Sequence, residues 1–175
     1  MKQLYTALAR PHLEYGNVVW HPYLRKDILD MLEAVQHRAT RMIPGFTKLS
    51  YEERLRRIDL PTLEYRRLRG DAIETYKFLT GKYTDNDPEF LPLHKSVWVT
   101  TRGHHLKLEK RECRGKLRSN FFSFRVVNIW NSLPEEVVMS NNVNCFKGRF
   151  DRCCKKIRYC KLTDSEETLS GFQRC

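Results

Sequence analysis

The residues with the clearest chemical potential are the basic side chains between positions 95 and 125. Nine lysines and arginines lie there against two glutamates, with Phe121, Phe122 and Phe124 near the end of the run. Basic groups bind phosphate oxygens and aromatic rings stack on bases, so the pattern is typical of a nucleic-acid-binding surface. The alternative is that the rings belong to a hydrophobic core. Our candidate contacts from this run are Arg102, Lys107, Lys110, Arg111, Arg114, Lys116 and Arg118.

A second set of candidates lies in the first 81 residues, where 14 basic residues face 10 acidic ones. Guanidinium groups can contact phosphates and fix a protein on a duplex without reading its sequence. Arg66, Arg67 and Arg69 share a predicted helix whose apolar stripe faces elsewhere, so we expect at least two of them to be exposed. The alternative is an ordinary solvated face with intrahelical ion pairs. The candidate contacts from this part are Arg38, Arg41, Arg66, Arg67 and Arg69.

Other kinds of chemistry lack the required spacing. Neither the Gly-x-Ser-x-Gly pattern of hydrolases nor a phosphate-cradling Gly-x-x-x-x-Gly-Lys occurs. The six cysteines contain no Cys-x-x-Cys pair, which structural zinc sites favour. We therefore expect no catalytic residue, no metal and no cofactor.

The composition of the chain favours a folded protein with a polyanionic partner. Its 175 residues, of which 41% are hydrophobic, fit one domain or one domain with a small appendage. The net charge of +11 favours nucleic acid first and an acidic membrane surface second. With no stretch of about 18 apolar residues and no secretory signal, we expect no membrane span and a nuclear or cytoplasmic location.

Periodic apolar residues predict a mainly helical chain. The clearest helix covers residues 26–43, with a buried stripe that includes Ile28, Leu32, Val35 and Met42, while Glu33 lies on the opposite, polar face. Further helices are predicted from the capping box that begins at residue 50 to about 58, from about 62 to 80, from about 120 to 133, and from about 142 onward.

Changes in composition suggest how the chain is divided. We predict a helical, thumb-like bundle over residues 1–81, a linker over 82–95, a basic α+β unit over 96–158 and a disordered tail over 159–175. The α+β unit would contain a short hairpin with strands near residues 97–99 and 106–108.

Three strings of residues resemble motifs of one known family. They read Arg10-Pro11-His12-Leu13-Glu14-Tyr15, Arg67-Leu68-Arg69-Gly70-Asp71 and Asn128-Ile129-Trp130-Asn131-Ser132-Leu133-Pro134. They belong to blocks at residues 4–15, 32–43, 49–79, 101–108 and 120–138, with a weaker block at 146–151. In this order the blocks resemble the C-terminal region, the thumb and beyond, of the reverse transcriptases of non-LTR (LINE-type) retrotransposons, over about residues 4–151.

The resemblance implies a thumb that grips a template–primer duplex, so the expected partner is RNA, DNA or an RNA–DNA duplex. That family's catalytic aspartates form an adjacent pair in the polymerase palm, and this sequence contains no adjacent aspartates. We therefore expect nucleic-acid binding without enzymatic activity. Two alternatives stay open: a module that packs on a polymerase palm or self-associates, and a relic of a retrotransposon with no selected function. The sequence departs from the family at His37-Arg38, where a basic pair is usual, and from Lys161 onward.

Overall fold

Helices make up most of the structure, a computed structural model that describes residues 2–22, 25–83, 89–94, 103–113 and 115–160. The helices are α1 (Lys2–Leu4), a π-helical turn (Tyr5–Ala9), α2 (Arg10–Glu14), α3 (Asn17–Trp20), α4 (Lys26–Arg41), α5 (Tyr51–Ile58), α6 (Leu63–Leu79), α7 (Lys116–Ser119), α8 (Phe122–Ser132), α9 (Glu135–Val138) and α10 (Val143–Cys153). The predicted mainly helical class is confirmed.

The predicted hairpin is not supported. Residues 97–99, its first strand, lie outside the described part of the chain. Leu108, in its second strand, forms one isolated antiparallel bridge with Leu93, and the His94 N–H donates to the Lys107 carbonyl at 2.8 Å. Within the described ranges the only pairing of extended backbone is this bridge, so the expected α+β unit is helical with one extended contact.

Helix ends follow the local signals in the sequence. Ser50 and Glu53 form the predicted capping box at the start of α5. The Thr62 hydroxyl accepts from the Tyr65 N–H at 3.1 Å, and the Asn142 side chain accepts from the Cys145 N–H at 2.8 Å. The predicted helix starts near residues 50, 62 and 142 are therefore confirmed.

The main hydrophobic core is built on α6. The predicted stripe of α6 is confirmed, because Tyr65, Leu68, Ala72 and Tyr76 are buried there. Large side chains of α8 and α10 complete the same cluster, and the ring of Tyr76 stacks on that of Phe146 with centroids 4.5 Å apart. Leu91 also belongs to this cluster. The described parts of the predicted N-terminal bundle, linker and C-terminal unit thus share one core, while 161–175, most of the predicted tail, lie outside the described residues.

The predicted buried face of α4 is wrong at Val35 and Met42, whereas Ile28, Leu32 and Ala39 are half-buried. Glu33, Gln36 and Thr40 are buried, whereas Val35 and Met42 are 42% and 65% exposed. The reason is that α4 packs against polar backbone. Helix starts leave N–H groups without intrahelical partners, and the carboxylate of Glu33 accepts from the Leu63 N–H of α6 at 3.0 Å.

The amide of Gln36 completes this polar contact between α4 and its neighbours. Its nitrogen donates to the Pro61 carbonyl at 3.0 Å, and its oxygen accepts from the Tyr5 hydroxyl at 2.9 Å. The Tyr51 hydroxyl also donates to Glu33. A hydrogen-bonded layer therefore forms the most buried side of α4, while Ala39 keeps an apolar contact with the smaller hydrophobic cluster and Val35 and Met42 turn outward.

The burial of Glu33 predicts a specific pH dependence of stability. Burial raises the pKa of Glu33, against the opposing effect of the hydrogen bonds from Tyr51 and Leu63. The folded state therefore favours the protonated carboxyl, and the stability contributed by Glu33 is full below its ordinary pKa of about 4.3 and falls as the pH rises toward the folded-state pKa. We expect the difference in unfolding free energy between wild type and Glu33→Gln to decline above pH 4.3 in urea titrations.

A matched control is Glu53→Gln, since hydrogen bonds from Ser50 lower the pKa of Glu53. Its contribution to stability is present above the ordinary pKa and is lost as the pH falls below it. The two differences should therefore change in separate pH windows, on opposite sides of about pH 4.3. Parallel curves for the two variants would contradict the assignment.

Candidate nucleic-acid interface

The three arginines predicted on α6 are engaged by neighbouring elements. Arg66 binds the Glu14 carboxylate of α2, with its second contact at 2.7 Å. Arg69 binds both carboxylate oxygens of Asp151 in α10 at 2.5 and 2.9 Å. Arg67 is only 4% exposed and donates to the Leu13 carbonyl at 3.0 Å. The expected exposure of at least two of them is wrong, because α6 is packed by other helices on its polar side as well.

Carboxylates within the fold pair with Arg66, Arg69 and the neighbouring Arg10. Burial lowers the pKa of Arg10, and the nearby Arg66 adds to this effect, while Glu14 opposes it at 3.0 Å. The hydrogen bond to Asp151 raises the pKa of Arg69. A phosphate could reach Arg66 or Arg69 only in competition with a carboxylate that is already bound. Binding of nucleic acid by the α6 arginines stays a prediction, and such binding would require displacement of these carboxylates.

The strongest polar constellation joins Asp71 of α6 to Arg125 of α8. Both side chains are buried, and the guanidinium group contacts the two carboxylate oxygens at 2.8 and 2.9 Å. The Nδ1 atom of His21 lies 3.1 Å from the same carboxylate, and the Asn17 amide donates to it at 3.3 Å. Burial lowers the pKa of His21, although Asp71 opposes the shift. This site is structural, since none of its charges faces solvent.

Sequence reasoning missed this pair, although a signal was present. Asp71 directly precedes Ala72 of the buried α6 stripe, and Arg125 directly precedes the buried Val126. Each charged residue therefore lies at the edge of an apolar stripe, where a side chain must find a partner within the protein. Because Arg125 was grouped with the basic residues between positions 95 and 125, which were expected to face solvent, its burial was not predicted.

Five of the remaining candidate residues are exposed. Arg38 and Arg41 lie in the last turns of α4 and are exposed, as are Lys110, Arg111 and Arg118. Cations at the end of a helix also complement its dipole, which gives Arg38 and Arg41 a structural role as well. Lys107 is half-buried beside the extended bridge. The side chain of Lys116 is outside the described set, as are residues Arg102 and Arg114.

The aromatic residues beside Arg118 divide between core and surface. Phe122 is buried and stacks on Phe90, so the core interpretation is confirmed for that ring. Phe124 is half-buried, with the guanidinium carbon of Arg118 5.2 Å from its centroid. Phe121 is 65% exposed, and its N–H donates to the Arg118 carbonyl at 3.1 Å. The Arg118 cation thus lies over Phe124, and the open ring of Phe121 follows one backbone turn after Arg118, in front of α8.

Other site types find no support in the described ranges. No group of three or more histidines, cysteines, aspartates or glutamates there could hold a metal ion. The cysteines described, which form no disulfide, are Cys113, Cys145, Cys153, Cys154 and Cys160. None of the helices in this part of the chain has the length and apolar character to cross a membrane.

Comparison of the chain with family models, curated proteins and solved structures finds no match.

The Asp71–Arg125 pair predicts a large loss of stability when one partner is removed. Arg125→Leu leaves the Asp71 carboxylate buried without its cation, and we expect the unfolding free energy measured in urea to fall by about 3–5 kcal/mol. Arg25→Ala removes an arginine from the exposed pair with Asp27 and serves as the control, with no measurable change expected. The double variant Arg125→Leu/Asp71→Leu should recover part of the loss. Equal instability of single and double variants would contradict an unpaired charge as the cause.

Proposed function

We propose that this chain binds nucleic acid, without acting on it chemically, through exposed basic side chains and the open ring in front of α8. The observation that carries the proposal is the exposed ring of Phe121, one backbone turn after the exposed Arg118, whose guanidinium group lies over the neighbouring Phe124. Charge alone would describe any basic protein. An exposed ring beside a cation adds a platform on which a base can stack while the cation contacts the adjoining phosphate.

The distribution of acidic groups supports the proposal. Asp71 and Glu33 are buried, and Glu14 and Asp151 are each held by an arginine. Arg54, Arg67 and Arg125 are buried as well, so the buried charges nearly cancel and the +11 lies almost entirely on the outer surface. The resemblance to the thumb region of LINE-type reverse transcriptases points to the same class of partner.

The geometry of the Arg118–Phe121 site favours single-stranded RNA or DNA at this position. Bases in a duplex already stack on one another and present only their edges in the grooves. A single strand offers the face of each base, and stacking on an aromatic side chain is tolerant of sequence. Lys110 and Arg111, which are exposed on the preceding segment, supply further phosphate contacts.

A second candidate function is a protein-interaction module, and the outward apolar stripe of α4 favours it. Met31, Val35 and Met42 are exposed there, and Leu4 and Leu8 are exposed on the first helical segment. The hydrogen bond between Tyr5 and Gln36 brings that segment against α4. Contiguous exposed apolar side chains mark interaction surfaces in soluble proteins. The partner would be a polymerase palm or a second copy of this chain.

The stacking site predicts different behaviour for two exposed residues on the same surface. Phe121→Ala should weaken binding of a single-stranded oligonucleotide about 5- to 150-fold, because stacking on one ring is lost. Leu117→Ala removes an 84% exposed aliphatic side chain four residues away and should leave the affinity unchanged. Fluorescence anisotropy with a labelled single strand measures both. Equal effects, or no binding at low salt, would sink the proposal.

The charge of Arg118 predicts a change in salt dependence. Arg118→Ala should reduce the log–log salt slope for single-strand binding by about 0.7, the value for one phosphate contact. Arg118→Lys retains the charge and should retain the slope. A slope that is unchanged in Arg118→Ala would show that this cation does not contact phosphate.

The outward apolar stripe predicts reversible self-association. We expect the sedimentation coefficient of the wild type to rise with protein concentration, and Met31→Lys/Val35→Lys to weaken association about tenfold or more, because burying charged groups in an apolar interface is costly. Met139→Lys changes an exposed methionine after α9 and is the control. A wild type that sediments as a monomer at all concentrations would refute the self-association form of this candidate.

A further inference from the structure

The structure points to a second nucleic-acid site, formed by α5 and the segment after α10, which we propose binds the phosphate backbone of a double helix. The inference rests on the proposed function, since it assumes a nucleic-acid partner, and it assigns a different form of nucleic acid to a different surface. We call the surface the α5 corner and define it by Arg56, Arg57, Lys155, Lys156 and Arg158.

Three contacts bring these two distant parts of the sequence together. Asp59, the residue after α5, accepts from the Arg158 guanidinium group at 3.0 Å and from the Tyr159 hydroxyl at 2.5 Å. The Thr62 N–H donates to the Arg158 carbonyl at 3.2 Å. Tyr159, like Ile58, also packs on the smaller hydrophobic cluster, which includes Leu55 of α5. The segment that contains Lys155 and Lys156 is therefore fixed beside the end of α5.

The α5 corner carries more positive charge than its neighbours neutralise. Arg56, Arg57, Lys155 and Lys156 are exposed. Arg56 pairs with Glu52 at 3.1 Å, and it is close enough to Tyr159 for its charge to act on the phenol. Within the part of the chain that the structure describes, Arg57, Lys155 and Lys156 form no ion pair with a carboxylate. Since exposed pairs such as Arg56–Glu52 are weak, a phosphate can compete for that guanidinium group as well.

Helix capping explains only part of this charge. The Lys2 ammonium group donates to the Ile58 carbonyl at the end of α5, and Arg158 is held by Asp59 next to it. Cations there stabilise the negative end of the helix dipole. Lys155 and Lys156 directly follow α10 and complement the dipole of that helix, and this role leaves both ammonium groups exposed to a phosphate.

The fold also argues against reading Lys155-Lys156-Ile157-Arg158 as a free basic peptide for an import receptor. Ile157 packs on the main hydrophobic core, and Arg158 is held at both its side chain and its carbonyl. An extended peptide would have to break these contacts. Phosphates on a rigid partner can instead meet the lysines where the fold places them.

The chemistry of the α5 corner favours a duplex over a single strand. Its aromatic residue, Tyr159, packs on a hydrophobic cluster, has the Arg158 guanidinium carbon 5.4 Å from its ring centroid and has its hydroxyl on Asp59, so the ring is already engaged within the fold. Point charges alone contact phosphates and do not read bases. Double-stranded DNA carries one charge per about 1.7 Å of its axis, which makes it a dense partner for several adjacent cations.

The test compares a labelled duplex with a single strand of the same length at 50–200 mM salt. Lys155→Ala/Lys156→Ala should lower the duplex salt slope by about 1.8, because two contacts contribute about 0.9 each. Arg25→Ala/Lys82→Ala removes the same net charge at two exposed positions outside both proposed sites and should leave the duplex slope unchanged. Phe121→Ala should weaken single-strand binding and leave duplex binding intact. Circular dichroism melting confirms that each variant is folded.

The possible outcomes separate this inference from the proposed function. Equal loss of duplex slope in the two double variants would mean that binding follows net charge, and would overturn the α5 corner as a site. Single-strand binding that depends on Phe121, together with duplex binding that is insensitive to Lys155 and Lys156, would overturn this inference and leave the proposed function standing. Absence of any binding by the wild type at 50 mM salt would overturn both.

Discussion

The buried ion pair between Asp71 and Arg125 is the contact on which the arrangement of the helices depends. Removing two charges from water is costly, and the cost is offset only when the remaining donors and acceptors are satisfied. The same guanidinium group donates to the carbonyls of Asn17 and Val18 at 3.1 and 2.8 Å. Because a helix of four residues such as α3 is unstable alone, these bonds fix α3 against α6 and α8. The Asp71–Arg125 pair thus connects α3, α6 and α8, which come from three separate parts of the chain.

This central position of α6 decides which basic residues remain available to a partner. A helix that is packed on nearly every side must satisfy its charged residues internally, and Arg66 and Arg69 do so with carboxylates from α2 and α10. Gly70 belongs to the same arrangement, since a Cβ there would lie 3.3 Å from the Asn17 amide nitrogen. A phosphate would therefore meet less competition from carboxylates at cations outside this helix, and both nucleic-acid sites that we propose lie there.

Signals contained in a few adjacent residues predicted the structure well, and signals that depend on packing did not. The Ser50–Glu53 capping box and the Asn142 cap were predictable because each is satisfied within one helical turn. The buried face of α4 was not, because periodicity cannot tell which of two adjacent stripes meets a polar neighbour. Likewise, the exposure of an arginine depends on whether a carboxylate from elsewhere in the sequence reaches it. The site at Arg118 was predictable as a basic–aromatic pattern, but the exposure of Phe121 and the burial of Phe122 were set by packing.

The inward-facing polar side of α4 has a consequence for Arg38, one of the exposed candidates. Arg38 follows Val35 by three residues and precedes Met42 by four, so it lies on the outward apolar stripe itself. Arginine is common in protein interfaces, where its stem packs on apolar groups and its head meets a polar rim. Arg57 on α5, by contrast, belongs to the α5 corner with Lys155 and Lys156. The position of Arg38 therefore connects it with the proposed protein docking more closely than with the proposed phosphate binding.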